Sequence, residues 1–251
     1  MGILILLGMA VLPALLIAYY VYWRDQHEPE PHELLVYCFL FGVVSTVPAI
    51  ILETIGGNLG FGISYNMFMT FIYAFGVVAF SEELVKYVFL FAYIYPKDEF
   101  CEPMDGIVYA VMISMGFAAL ENILYVMGGG VELAILRAFT AVPAHAAFAV
   151  FMGYYVGLAK FDKKREKLLL ATGLLSATAI HGAYDFFIFQ QNIEALALLT
   201  FVVLIGSIVM SFKLIKQHQE NSPHNPKNAV ATNDSDNDLD LFEHLNDFDP
   251  K

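Results

Sequence analysis

The sequence is short of charge: 15% of its 251 residues are Asp, Glu, Lys or Arg, where a soluble domain carries nearer a quarter. It has two cysteines. Cys38 sits in an apolar run and Cys101 in a short polar loop. Neither has a partner at metal-ligand spacing, and nothing suggests a disulfide framework. No basic patch with interleaved aromatics is present, which removes the usual signature of nucleic-acid binding. There is no GxSxG turn, no HExxH pair, and no Ser or Cys with a convincing base nearby. No internal repeat of the inverted kind found in many transporters is visible. No Lys or Arg precedes the apolar stretch 2–23, and no small-residue cleavage site follows it. That stretch is therefore expected to be an uncleaved first membrane helix rather than a secretory signal.

What the sequence has is apolar length. Hydrophobic residues make up 58% of it, gathered in long runs rather than at helical or strand period. Crossing the hydrocarbon as a helix takes about 20 such residues. Seven stretches reach that length: 2–23, 33–55, 66–95, 104–127, 131–160, 168–190 and 193–215. The expected fold is all-α, a polytopic membrane helical bundle of about seven transmembrane helices spanning 1–215. Stretches 66–95 and 131–160 are longer than one crossing needs, which predicts tilt, a break or an extension beyond the bilayer. The glycines between 56 and 62 leave a short re-entrant piece open as an alternative to a plain loop.

Basic residues give an orientation. With seven crossings, one side receives Arg24, Lys97, the cluster Lys160, Lys163, Lys164, Arg165 and Lys167, and the C-terminal Lys213, Lys216, Lys227 and Lys251. The loops on the other side hold no Lys or Arg. The N-terminus is thus expected outside and the C-terminus in the cytoplasm of a cell membrane. Much of the net charge of −12 is local, because from Lys216 onward eight Asp or Glu face three Lys. Residues 216–251 are expected to form an acidic, disordered cytoplasmic tail. Its Leu239, Leu241, Phe242, Leu245 and Phe248 are spaced so that they could form a short helix on a partner.

Charged groups inside the apolar stretches need a reason, since each costs about 2.5–3.5 kcal/mol on insertion scales. The stretches hold Glu82, Glu83, Lys86, Glu121, Arg137 and Asp185, with Asn122, His145 and His181. At 1.5 Å of rise per residue, Glu83 and His181 lie roughly 20 Å from the cytoplasmic end of their helices. His145 lies roughly 22 Å deep, and Glu121 and Asp185 roughly 26 Å. Four helices thus place ionisable groups in one layer, where independent structural accidents would scatter. Lys86 is four residues from Glu82 and three from Glu83, close enough to neutralise either. Asp185 is four residues from His181, placed to fix its tautomer. Taken singly, His145 reads as a satisfied core histidine and Asn122 as a helix–helix hydrogen bond. Arg137 is expected to snorkel or pair with Glu132, and Glu53, near a helix end, to be structural.

Ser81-Glu82-Glu83-Leu84-Val85-Lys86 resembles the EExxK motif of the PrsW-type intramembrane proteases. Phe117-Ala118-Ala119-Leu120-Glu121-Asn122 is similar to that family's FxxxEN motif. His145-Ala146-Ala147-Phe148 and His181-Gly182-Ala183-Tyr184-Asp185 resemble its two histidine motifs. The four occur in order, each inside an apolar stretch, across roughly 70–190. The related CAAX prenyl endopeptidases and bacteriocin-processing proteases carry EExxxR, FxxxH and HxxxN. Lys86, Glu121 and Asp185 depart from that pattern and speak against prenylated substrates. The resemblance implies hydrolysis of peptide bonds in a membrane-anchored, single-span substrate, with an anti-sigma factor as the example from the namesake pathway.

Amide hydrolysis needs a base for water, an acid for the leaving amine and donors for the oxyanion. The expected assignment gives the first two tasks to Glu82 or Glu83 and the oxyanion to His145 and His181. Asp185 orients His181, Lys86 pairs with the glutamates, and Glu121 and Asn122 position water or substrate. No cofactor is required by this scheme. Zinc on His145, His181 and either Glu121 or Asp185 is the alternative. A proton-coupled transporter and a non-catalytic membrane adaptor are the other classes with such a composition. Flux without cleavage would mark the first. A function carried entirely by the acidic tail would mark the second.

Overall fold

The computed structural model describes residues 3–228. Every regular element among them is helical. Helix α1 is Ile3–Arg24 and α2 is His32–Asn58. Helix α3 runs over Met67–Ile94, α4 over Pro103–Phe139, α5 over Ala141–Phe161 and α6 over Glu166–Phe189. A 3-10 turn at Glu194–Leu198 leads into α7, Leu199–Glu220.

Five stretches are long and apolar enough to cross a membrane: Leu4–Arg24, His32–Asn58, Met67–Ile94, Pro103–Phe161 and Glu194–Glu220. The count falls below the expected seven for two reasons. Helices α4 and α5 run on into a single 59-residue stretch, and α6 is not among the five. The most apolar 18-residue window of the α4–α5 stretch is 78% buried, whereas those of Leu4–Arg24 and Glu194–Glu220 are 22% buried. The first is therefore the centre of the bundle and the other two its rim. Large apolar side chains such as Leu16, Val44, Phe68 and Val202, on four different helices, point outward from the bundle. A bilayer accommodates such a surface where water does not.

Glycine sets how closely the central helices approach. A methyl group added at Gly153 would stand 2.3 Å from Gly106 O, and one at Gly106 would stand 2.4 Å from Gly153 O. At Gly157 it would meet Pro103 O at 2.1 Å. Gly153-Tyr-Tyr-Val-Gly157 therefore packs main chain against main chain, as small residues spaced by three do in membranes. The α2–α4 crossing is built alike, with Gly42 against Ile113 O at 1.8 Å and Gly116 against Phe39 O at 1.9 Å. Ser114 Oγ donates to His145 O at 2.9 Å and pins the α4–α5 register.

Of the two long stretches, one breaks and the other stays continuous. Stretch 131–160 divides at Thr140, whose φ of −122° and ψ of −75° end α4. Residues 131–139 belong to α4 instead, joined across a kink at Gly130 (φ 69°, ψ −157°). Only glycine adopts that conformation cheaply. Helix α3 stays continuous but widens into π turns at Tyr73–Ala79 and Leu90–Ile94, leaving Phe80–Phe89 as the regular helix between them. Such turns are common beside functional sites. The glycines after α2 make a plain turn: the helix continues through Gly56 and Gly57, and Gly60 reverses the chain at φ 92°. Asn66 then caps α3 by accepting from the Phe68 and Met69 amides.

The far end of the bundle is tied by polar contacts. Pro103 opens α4 behind a capping box formed by Glu102 and Asp105. Ser222, beyond α7, is buried and donates to Glu102. Lys160 Nζ reaches Tyr95 O at 2.5 Å and Lys97 O at 3.0 Å. Arg24 Nη2 donates to Gln219 at 2.6 Å. Burial, then the charges of Asp105 and Glu102, push Asp25 up to about 8. Residues 217–228, expected in the disordered tail, include the last turn of α7 and the buried Ser222. The remainder of that tail, with Leu239, Leu241, Phe242, Leu245 and Phe248, lies outside the described residues.

Candidate active site

The Phe80–Phe89 segment of α3 buries Glu82, Glu83 and Lys86. Three charges enter the bundle together because they lie within one turn and compensate each other. Lys86 Nζ is 2.8 Å from Glu83 Oε1 and 3.4 Å from Glu82 Oε2. It also lies 3.3 Å from His145 Nδ1 and 4.1 Å from the centre of the Phe117 ring. A single ammonium thus contacts two carboxylates, an imidazole and an aromatic face. Glu83 is wholly buried. Its Oε2 has no hydrogen-bond partner among the described residues.

The two histidines approach from α5 and α6, with ring centres 5.2 Å apart. His181 stacks on Phe148 at 4.6 Å, which fixes the ring plane. Its Nδ1 is 2.9 Å from Glu83 Oε1, and its Nε2 is 3.3 Å from Asp185 Oδ2. His145 turns Nε2 to Glu121 Oε2 at 2.9 Å. The pattern is the same on both rings. Nδ1 faces the α3 charges, and Nε2 rests on a carboxylate that sets its direction. One ligand atom each from Glu82, Glu83, His145 and His181 falls within 4.8 Å of the others. Glu121 and Asp185 stand outside that group, each on the far nitrogen of a histidine.

Arg137 does not pair with Glu132. The Gly130 kink turns 131–139 back along α4, so that Arg137 Nη2 meets Glu121 at 2.8 Å and Arg137 Nε donates to Asn122 Oδ1 at 2.7 Å. Asn122 spends its amide on Ala10 O of α1 at 2.9 Å, so it joins helices and holds Arg137. A cavity of about 420 Å³ opens beside the group and is lined by Glu53, Glu82, Glu121, His145, His181 and Asp185, among others. Glu83 and Lys86 lie behind this wall. Glu53 therefore belongs to the cavity, although its place near a helix end suggested a structural role. A carboxylate in an apolar stretch was the available signal; the rotation of α2 that aims it inward is not written in local spacing.

Buried carboxylates and imidazoles around an internal cavity are the groups that hydrolysis inside the bilayer needs, and the class of enzymes that carry it out is the one in which the chain's relatives fall. The chain belongs to the PrsW family of intramembrane metalloproteases, whose sequence profile matches residues 30–211. Relatives named Protease PrsW make the same point. The one from Geobacillus kaustophilus is 39% identical over 74% of this chain and 81% of its own length. That from Bacillus subtilis is 35% identical over 80% and 90%, and that from Clostridioides difficile 34% identical over 78% and 84%. No solved structure matches the chain. The protein is accordingly a multi-pass membrane peptidase. The transporter and adaptor classes are not favoured.

Proposed function

We propose that the chain cuts peptide bonds of membrane-anchored proteins at the 420 Å³ cavity, with Glu82 as the base that activates water. The observation that carries this reading is the convergence of Glu82, His145 and His181 at the cavity wall, with Glu83 close behind them. Of the two glutamates only Glu82 lines the cavity, and Glu83 is behind it on Lys86 and His181. A cavity-facing carboxylate can reach water and substrate, and a carboxylate behind it can hold neighbouring groups in place.

Two imidazoles and a carboxylate suit zinc. The free Oε2 of Glu83 and the carboxylates backing both Nε2 atoms fit such a centre. His145, His181 and Glu83 would hold the ion, which supplies Lewis acidity and a water that ionises near neutral pH. The chain's own groups do the rest. Glu82 takes a proton from water and returns it to the leaving amine. Glu121 and Asp185 keep the rings in one orientation. Arg137 and Asn122 hold Glu121 in turn. Without zinc, Lys86 supplies the positive charge among the same groups, and His145 and His181 serve the oxyanion.

The proposed topology is seven crossings with the N-terminus outside. It is supported by the contact of Lys160 with Lys97 and that of Arg24 with Gln219, which bring basic residues from the loops assigned to one side to the ends of their helices. The proposed substrate is a single-span membrane protein. The test co-expresses tagged single-span proteins, an anti-sigma factor among them, with wild type, Glu82→Gln or Glu83→Gln. A fragment made by wild type and lost in Glu82→Gln is expected. Undiminished cleavage by both variants would sink the assignment. Zinc bound one to one, and lost together with activity on chelation, selects the metal scheme.

A further inference from the structure

Three more carboxylates converge at the opposite end of the bundle from the cavity. Asp25 and Glu30 come from the α1–α2 loop and Asp105 from the first turn of α4. One oxygen of each lies within 4.8 Å of the other two. Asp25 and Glu30 are 3% exposed and Asp105 not at all. Some of their oxygens are satisfied. Tyr109 donates to Glu30 Oε2, and the Cys101 and Glu102 amides donate to Asp105 Oδ2 at 2.7 and 2.8 Å. The others make no well-formed hydrogen bond among the described residues: both oxygens of Asp25, which have only the Glu30 main-chain amide nearby, and Oε1 of Glu30 and Oδ1 of Asp105, two carboxyl groups that face each other. No Lys or Arg forms an ion pair with any of the three among the described residues. A buried carboxylate oxygen without a donor costs more than a lost hydrogen bond. Four of them in one place describe a set of ligands for a positive ion.

We propose that Asp25, Glu30 and Asp105 bind a hard divalent cation of the magnesium, calcium or manganese class. The donors are all oxygen, which selects that class over softer metals. The neighbouring Glu28, Cys101 and His224 do not extend the site, since the Cys101 thiol already donates to Glu28 at 2.9 Å. The ion ties the α1–α2 loop to the start of α4, the helix that carries Glu121 and, through Ser114, sets the height of His145.

The experiment uses the full chain in detergent, stripped of metal, with MgCl2, CaCl2 or MnCl2 added back. Thermal unfolding is followed, and bound Mn²⁺ is counted by electron paramagnetic resonance. A hundredfold excess over Kd is expected to raise the Tm of wild type by about 5–10 °C. The same rise is expected in the Glu82→Gln, Glu83→Gln double variant, which separates this site from the active site. Asp25→Asn is expected to lose at least tenfold in Mn²⁺ affinity while staying folded without metal, because the amide keeps an oxygen that can accept from the nearby Glu30 main-chain amide. Glu30→Gln is the second variant and should lose Mn²⁺ likewise. No Tm rise with any of the three ions would overturn the proposal. So would Mn²⁺ affinity unchanged in both variants, or Mn²⁺ lost only in the active-site double variant.

Discussion

Replacing Lys86 by methionine isolates the energetics of the α3 cluster. The side chain keeps its approximate length and loses the ammonium, and with it the contacts to the two carboxylates, to His145 and to the Phe117 ring. Lys86 is 2% exposed, Glu82 4% and Glu83 wholly buried, so bulk water does not compensate Glu83 and reaches Glu82 only through the cavity. Removing one member of a buried ion pair costs about 3–5 kcal/mol, because the other charge is left uncompensated. At about 2–4 °C per kcal/mol for a chain of this size, Lys86→Met should lower Tm in detergent by roughly 6–20 °C. Adding Glu83→Gln removes one stranded charge as well. The double variant should therefore be more stable than the sum of the single effects by about 1 kcal/mol or more. Cleavage should fall in both, since Lys86 also touches His145. A single variant within about 2 °C of wild type, or strictly additive losses, would show that Lys86 does not neutralise the glutamates and that their burial has another source.

Four further outcomes follow from the contacts described. Asp185→Asn and Glu121→Gln should each lower the cleavage rate by about 10–100-fold, the usual effect of removing a group that orients a ligand or a catalytic ring, with the folded fraction unchanged by gel filtration. Gly153→Val should destabilise by about 1–3 kcal/mol or prevent folding, because the atom it meets is backbone and cannot yield; Tm reports it. Glu53→Gln should change kcat/KM for a defined substrate and move stability by no more than about 0.5 kcal/mol, as for a group outside a buried network. Chelation should abolish cleavage under the zinc scheme and leave it unchanged under the metal-free one.

Much of this architecture was legible in the sequence because membrane crossing and helical rise are local rules. A run of apolar residues sets a helix, and counting along it sets a depth, which put Glu83, Glu121, His145, His181 and Asp185 in one layer before any contact was known. Rotation about each helix axis is not local. Glu53 and Arg137 show this: whether Glu53 faces the cavity depends on how α2 turns, and the pairing of Arg137 with Glu121 rather than Glu132 depends on the direction in which Gly130 sends the last turns of α4. The π turns of α3 carry no mark in composition. Nor could spacing join Asp25 and Glu30 to Asp105, which stands 75 residues further along the chain than Glu30. The break within 131–160 was foreseeable from its length, but its place at Thr140 was not.

The glycine seam between α4 and α5 has a consequence for precision. Where side chains fill an interface, the distance between two helices is an average over rotamers and drifts as they hop. Here the spacer is the peptide unit itself, with Gly106, Gly153 and Gly157 against carbonyl oxygens. A peptide unit has no rotamers. The separation of Glu121 and His145 is therefore referenced to a rigid ruler some turns away. Thermal softening of the apolar core should widen the cavity's mouth before it changes the spacing of the groups inside it.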